Sequence, residues 1–356
     1  MHLGVEAVAM PTDRRGIGRY ARQVLAHCAR LHPDLRVTLY AEQGGDLREL
    51  EAELPDLGLG GARGAVAPVS RLRIDPPEIV WYPWNKTKHF TSARRMVLTI
   101  HDLVPFHFRR RGWHRAFFQR KIERRFRESA ARADLILTDS AYSRQDIIAQ
   151  LGVRPEIVEV IPLAADDFQP AGGPPDRAFL ARRFGITGPY LLYVGADEER
   201  KNLTRLRTAF GSLRVTTGGA VQLVVCGARV PRRASDPGTL WVGRVSEDEL
   251  RALYHGAAAF VQPSLLEGFG LPVLEAMGSG VPVVCSNATS LPEVAGDAAL
   301  YFDPLDVDDI AAQLRRCLTD DALRQELVRR GLAQAARFRW EDTARRTWAA
   351  FEQMLR

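Results

Sequence analysis

The chain has 356 residues, 46% of them apolar, and a formal net charge of +6. A single core stops growing near ~250–300 residues, so this length implies two domains or one large one. No apolar run nears the ~18–20 residues that span a bilayer, and Met1-His-Leu-Gly-Val-Glu6 lacks the basic start and long apolar region of a signal peptide, so a cytoplasmic location is expected. The positive charge favours anionic partners without choosing between nucleotide, phospholipid and nucleic acid. Cys28, Cys226, Cys285 and Cys317 lie far apart with no C-x-x-C pair, and read as packing residues.

In chain order, apolar runs read as buried strands at 3–9, 36–40, 79–82, 96–100, 135–138 and 157–161. An amphipathic helix runs from 19 to about 31, and helical stretches fall near 113–131 and 143–151. This alternation predicts a parallel sheet covered on both faces. Residues 70–77, rich in Pro and Arg, read as a loop. From 162 to 175 the composition sustains neither period and marks a linker. Beyond it, strands are expected at 190–194, 221–225, 239–242, 260–261 and 281–284. Helices are expected near 203–216, 247–256, 272–278, 306–318, 322–338 and 340–355. Two α/β domains of this kind predict a cleft between facing strand ends, the place where open parallel sheets bind ligands.

Glu267-Gly-Phe-Gly-Leu-Pro-Val-Leu-Glu275 lies between two apolar runs, with Pro272 near the start of a short helix. The stretch sets two carboxylates around backbone N–H groups that no helix bond satisfies, which suits a ligand carrying both phosphate and hydroxyls. After Tyr190-Leu-Leu-Tyr-Val-Gly195, the pair Arg200-Lys201 points to the same sheet edge and suits a diphosphate. An ordinary surface loop paired with Glu198 and Glu199 is the alternative. Gly16-Ile-Gly18 lies in the first strand-to-helix turn, but lacks the third glycine of a dinucleotide fingerprint. His101-Asp102 follows the strand at 96–100, as acid, base, hydroxyl binder or hydrogen-bonded loop pair.

Residues 109–127 combine dense positive charge with Trp113, Phe117 and Phe118. They read either as a contact with an anionic membrane surface or as a solvated helix whose aromatic side packs on its own domain. No recognition-helix pattern or zinc spacing accompanies the charge, so no nucleic-acid partner is expected. Asp166-Asp167, Asp308-Asp309 and Asp320-Asp321 sit in the linker or at helix starts, where Asp caps backbone N–H groups, and no metal site is expected. There is no G-x-S-x-G elbow.

Together these residues resemble the retaining glycosyltransferase family 4, with its GT-B fold of two Rossmann-like domains facing across a cleft. Glu267 to Glu275 matches the family's E-x7-E element. Gly16-Ile-Gly-Arg-Tyr20, Thr99-Ile-His-Asp-Leu103, Val194-Gly195 through Arg200-Lys201-Asn202, Val242-Gly-Arg-Val-Ser246 and Ser290-Leu-Pro-Glu293 match further elements in family order. The resemblance implies an acceptor-binding domain over 1–165, with 340–356 crossing back onto it, and a donor-binding domain over 166–339. The donor is a nucleotide diphosphate sugar, and the acceptor a glycan or a lipid-linked glycan.

By the same resemblance, Gly195, Arg200 and Lys201 serve the diphosphate, and the backbone of Gly268, Phe269, Gly270 and Leu271 approaches the distal phosphate and sugar. Glu267 accepts from sugar hydroxyls and Glu275 from the ribose. Val242, Arg244 and Val245 border the base, and Gly16 and Gly18 close over the phosphates. His101 contacts the transferred sugar, with Asp102 on the acceptor side. His101, Glu267 and Lys201 form the expected catalytic group. The family uses no divalent metal and no cofactor, and the leaving diphosphate helps to deprotonate the acceptor. Ala196 stands where an arginine often follows the strand glycine, and Glu6 where an Asp is common. The segment 100–105 most resembles bacterial polysaccharide mannosyltransferases, which makes GDP-mannose the first expectation for donor. A UDP- or dTDP-sugar stays open, as do a nucleotide-sugar epimerase or hydrolase and a silent nucleotide-sugar-binding protein.

Overall fold

A computed structural model describes residues 1–13, 16–42, 44–108, 113–170, 175–216, 218–230 and 236–356. The chain divides into two compact units, Met1–Leu163 with Arg339–Arg356, and Ala164–Phe338.

The first unit is built on β1 (His2–Glu6), β2 (Arg36–Ala41), β3 (Gly64–Pro68), β4 (Ile79–Tyr82), β5 (Arg95–Thr99), β6 (Leu135–Thr138) and β7 (Val158–Val160). All pairs are parallel, in the order β3-β2-β1-β4-β5-β6-β7. Every residue of β4 and β6 is buried, as continuous apolar runs in the middle of a parallel sheet demand. The order reverses between β1 and β4, so the connections leaving these two strands part and open a crevice at their carboxyl ends.

The helix Ile17–Leu31 buries Tyr20, Ala21, Val24, Leu25 and Cys28, one stripe at helical spacing. Gly18 within it is indispensable, because a Cβ there would stand 1.7 Å from the Asp13 carbonyl oxygen. The helix Trp340–Leu355 buries Trp340, Trp348 and Phe351 in this same unit. Trp348 stacks on His32 with ring centroids 3.9 Å apart, and Phe351 meets Trp81 at 5.9 Å.

The second unit repeats the scheme with β8 (Tyr190–Val194), β9 (Gln222–Cys226), β10 (Thr239–Gly243), β11 (Ala259–Gln262), β12 (Val283–Ser286) and β13 (Ala299–Phe302). Its parallel order is β10-β9-β8-β11-β12-β13, with the switch between β8 and β11. Its core joins strand residues such as Leu191, Leu223 and Val261 to Leu206, Phe210, Ile310 and Leu314 of the covering helices. The four cysteines are buried and in no disulfide.

Several elements depart from the expectations. Gly64–Pro68 and Ala299–Phe302 are additional strands at sheet edges, and Gly45–Glu53, Arg177–Phe184 and Leu291–Ala295 are additional helices. Within the expected loop at 70–77, Val69–Arg73 forms a 3-10 helix that buries Leu72. The expected linker is partly packed. Ala164, Ala165 and Phe168 are buried, and Phe168 sits edge-on to Tyr254 at 5.6 Å with the Arg251 guanidinium 4.4 Å over its ring. Residues 171–174 of that linker lie outside the described residues, as do 109–112 of the basic stretch and Arg14 and Arg15 before Gly16.

Candidate active site

At the switch point of the second unit, the segments following β8 and β11 are tied together. Arg200 and Lys201 lie in the 3-10 helix Glu199–Lys201, closed by Asn202 at φ 56°. Asn202 Nδ2 donates to the carbonyls of Pro263 (3.0 Å) and Pro304 (2.7 Å), and the amide of Leu265 donates to the Arg200 carbonyl (2.7 Å). These bonds aim both basic side chains at Glu267. Lys201 Nζ donates to Glu267 Oε1 at 2.6 Å, and Arg200 reaches Oε2 at 3.2 Å. Gln262 Nε2 and Ser264 Oγ, at the end of β11, each donate to Oε1 at 2.6 Å.

Burial alone would push the Glu267 carboxyl up. Lys201 and Arg200, with hydrogen bonds from Lys201 and Ser264, outweigh it and hold the group below its ordinary range. Oε1 is saturated by three donors, whereas Oε2 retains acceptor capacity.

The turn that follows is held from below. Ser290 Oγ bonds the carbonyls of Glu267 (3.0 Å) and Phe269 (2.8 Å), and Glu267 N–H donates to Thr289 Oγ1 (3.1 Å). Gly270 has φ 112°, and a Cβ there would stand 2.8 Å from Leu291 Cδ2, so no other residue fits without a shift. The turn feeds the helix Leu271–Gly278 with Pro at its start. Among the described residues, the amide N–H groups of Phe269, Gly270 and Leu271 meet no acceptor. They are the free N-terminal donors that a phosphate group takes up. Glu275, on the same helix, is buried and accepts from Tyr254 Oη at 2.9 Å. Phe269 turns its ring inward against Phe338, 5.9 Å between centroids.

In the first unit His101 follows β5. Its ring Nδ1 lies 2.7 Å from Asp139 Oδ2 and its Nε2 3.0 Å from the Pro83 carbonyl, and its backbone N–H donates to Asn85 Oδ1 at 2.6 Å. Both ring nitrogens therefore face acceptors, and only the doubly protonated imidazolium satisfies both. Burial pulls the His101 pKa down, but the Asp139 charge and hydrogen bonds to Asp139 and Pro83 raise it on balance. Tyr20 packs edge-on to the ring at 4.9 Å. The partner of His101 is thus Asp139, at the end of β6, and not its neighbour Asp102, which instead accepts from the Val104 N–H at 3.3 Å.

Two family models match the chain. One, described as "Glycosyltransferase Family 4", covers residues 14–167, and another, "Glycosyl transferases group 1", covers 177–334. An O-antigen chain mannosyltransferase B of Escherichia coli is 38% identical over 269 residues, which is 72% of this chain and 70% of that protein. The chain belongs to glycosyltransferase family 4. The transferase is also 30% identical over 279 residues to the E. coli serotype-specific mannosyltransferase WbdA, matching 34% of that longer protein's length. Among solved structures, Anabaena HepE in complex with UDP-glucose superposes with a TM-score of 0.75 at 16% identity, covering 99% of both chains. That likeness is one of fold, the GT-B pairing of two parallel-sheet Rossmann-like domains.

The transferase gathers Gly195, Arg200, Lys201, Glu267, the turn 268–271 and Glu275 at one switch point. Val242, Arg244 and Val245 lie apart, at the end of edge strand β10, with Arg244 exposed and Val245 buried. Gly16, Gly18, His101 and Asp102 belong to the first unit. Sequence reasoning passed over Gln262, Ser264, Asp139 and Asn85, and named Ser290 only within the matched element 290–293 without a role. A polar Gln-Pro-Ser closing an apolar strand, and a Thr-Asp-Ser closing another, are the signals that point to three of them. Among the described residues no helix is long and apolar enough to cross a membrane.

Proposed function

We propose that the transferase moves mannose, with retention of configuration, from GDP-mannose to a glycan or lipid-linked glycan acceptor. The observation that carries this reading is the buried Glu267 bridged by Lys201 and Arg200 beside the free amides of Phe269, Gly270 and Leu271. A diphosphate draws the two cations and docks on the amides, and Glu267 Oε2 and Glu275 accept hydroxyls of sugar and ribose. The names of the E. coli relatives support mannose, and HepE's complex supports a nucleotide sugar as donor class.

During transfer the bond from the sugar's C1 to the phosphate oxygen breaks and the acceptor oxygen bonds C1 on the same face. The acceptor's proton passes to the leaving diphosphate. His101 has both ring nitrogens engaged by Asp139 and the Pro83 carbonyl, so its ring is not the base that takes that proton. Arg200 and Lys201 take the counter-charge role of a metal, so activity persists in a chelator.

A thermal-shift panel of nucleotide sugars tests the reading, because a donor at ~100 times its Kd stabilises the fold by about 2.7 kcal/mol. GDP-mannose raises the Tm of the wild type and not of Lys201→Ala. Stabilisation by another nucleotide sugar alone overturns the donor assignment.

A further inference from the structure

The switch point of the first unit opens onto a cavity of about 330 Å³, a size typical of small-molecule sites. Its floor is Glu6, the last residue of β1, and Trp84, just past β4, whose indole N–H donates to the Glu6 carbonyl at 2.9 Å. One wall is the helix Trp113–Ala130, which presents Phe118, Lys121, Ile122 and Arg125. These positions are spaced i, i+3, i+4 and i+7, one face of a helix. Four residues of the basic stretch, expected either at a membrane surface or on a solvated helix with its aromatic side packed on its own domain, therefore line a pocket.

The lining joins apolar surface from Val8, Trp84, Phe118 and Ile122 to four cations, Lys86, Lys88, Lys121 and Arg125, with Glu6 as its single carboxylate. Lys88 leans on Glu42 at 3.2 Å and Arg125 reaches Glu128 only at 3.9 Å. Among the described residues neither Lys86 nor Lys121 has a carboxylate within ion-pairing distance. Cations concentrated on an apolar wall call for an anion that brings several charges and an apolar body of its own. The apolar surface also continues outward, since Phe118 is 54% and the adjacent Phe117 72% exposed. Asn85, between the pocket residues Trp84 and Lys86, accepts from the His101 amide at 2.6 Å and so ties the cavity's segment to that of His101.

We propose that this cavity binds the phosphate-bearing, apolar-chained end of the acceptor, the cations gripping the phosphate and Trp84, Ile122 and Phe118 the start of the chain. This names the acceptor class of the transferase reading and rests on it. Burial lifts the Glu6 carboxyl to about 8, so at neutral pH it is a neutral hydrogen-bond donor to phosphate oxygen rather than a repelling charge.

The test is calorimetric titration of the full chain, without donor, with farnesyl phosphate, farnesol, inorganic phosphate and phosphatidylglycerol vesicles. Farnesyl phosphate binds at least about tenfold more tightly than farnesol or inorganic phosphate, and Lys121→Ala weakens it by about tenfold. Phe118→Ala weakens farnesyl phosphate and leaves inorganic phosphate unchanged. Both substitutions are at exposed side chains, so the fold persists. Farnesyl phosphate no tighter than inorganic phosphate, vesicle binding without farnesyl phosphate binding, or an unaffected Lys121→Ala each overturns the proposal. Lys201→Ala loses the nucleotide sugar and keeps farnesyl phosphate, so failure of the cavity and failure of the donor site are separable.

Discussion

Glu6 and Glu267 are both buried carboxylates beside a topological switch point, one in each unit, and their acidities move in opposite directions. Glu6 ends β1 against Trp84 and an apolar wall, with Lys88 too distant to offset desolvation, and its carboxyl rises to about 8. Glu267 is just as buried, but the charges of Lys201, 2.6 Å away, and Arg200, with hydrogen bonds from Lys201 and Ser264, hold it down. The difference shows that sheet topology supplies the crevice and the nearest donors decide its charge.

The largest test removes the titration of Glu6. Its carboxyl is raised on folding, so its contribution is present below the unfolded pKa and lost as pH rises through about 8. Wild type therefore loses roughly 3–4 kcal/mol between pH 5 and pH 8 that Glu6→Gln does not lose. Urea unfolding of both proteins across that range measures it, and parallel profiles would sink the assignment. Lys201→Met turns the second site toward the first. It leaves Glu267 buried with less compensation and destabilises the protein by roughly 3 kcal/mol at pH 7. Because the wild-type carboxyl is depressed, its stabilising share disappears as pH falls through the folded pKa, and in Lys201→Met that acid-side loss shrinks. A variant with wild-type stability and acid profile would show that Lys201 does not set the Glu267 charge. Ser290→Ala has the smallest effect, roughly 1–2 kcal/mol, because two buried carbonyls lose a donor. It disturbs the turn and leaves the acid profile in place, so a shifted profile would tie turn and charge together.

Much of this was legible from local pattern. Apolar runs such as β4 and β9 announce parallel strands buried in the sheet, and Glu267 to Glu275 with Arg200-Lys201 announce one shared sheet edge. Gly64-Ala-Val-Ala-Pro68 carries too little apolar bulk to signal a strand, since an edge position half exposed to solvent does not demand it. Phe168 looked like linker because its partners, Tyr254 and Arg251, are distant in sequence. Asp139 was invisible as the partner of His101 for the same reason, whereas Asp102 beside it drew attention by adjacency alone. The cavity of the first unit needed the switch between β1 and β4 before Glu6, Trp84 and the helix Trp113–Ala130 were seen to converge.

The helix Trp340–Leu355 sets an order on biosynthesis. Trp348 and Phe351 close over the helix Ile17–Leu31 and Trp81, so the first unit lacks part of its core until residues 164–338 have been made. At ~5–20 residues per second that wait is on the order of 10–30 s. During it the earlier-made unit presents an apolar scar to the crowded exit of the ribosome, while the later-made unit can already finish folding. The unit begun first is the one completed last, and chaperone dependence should concentrate there.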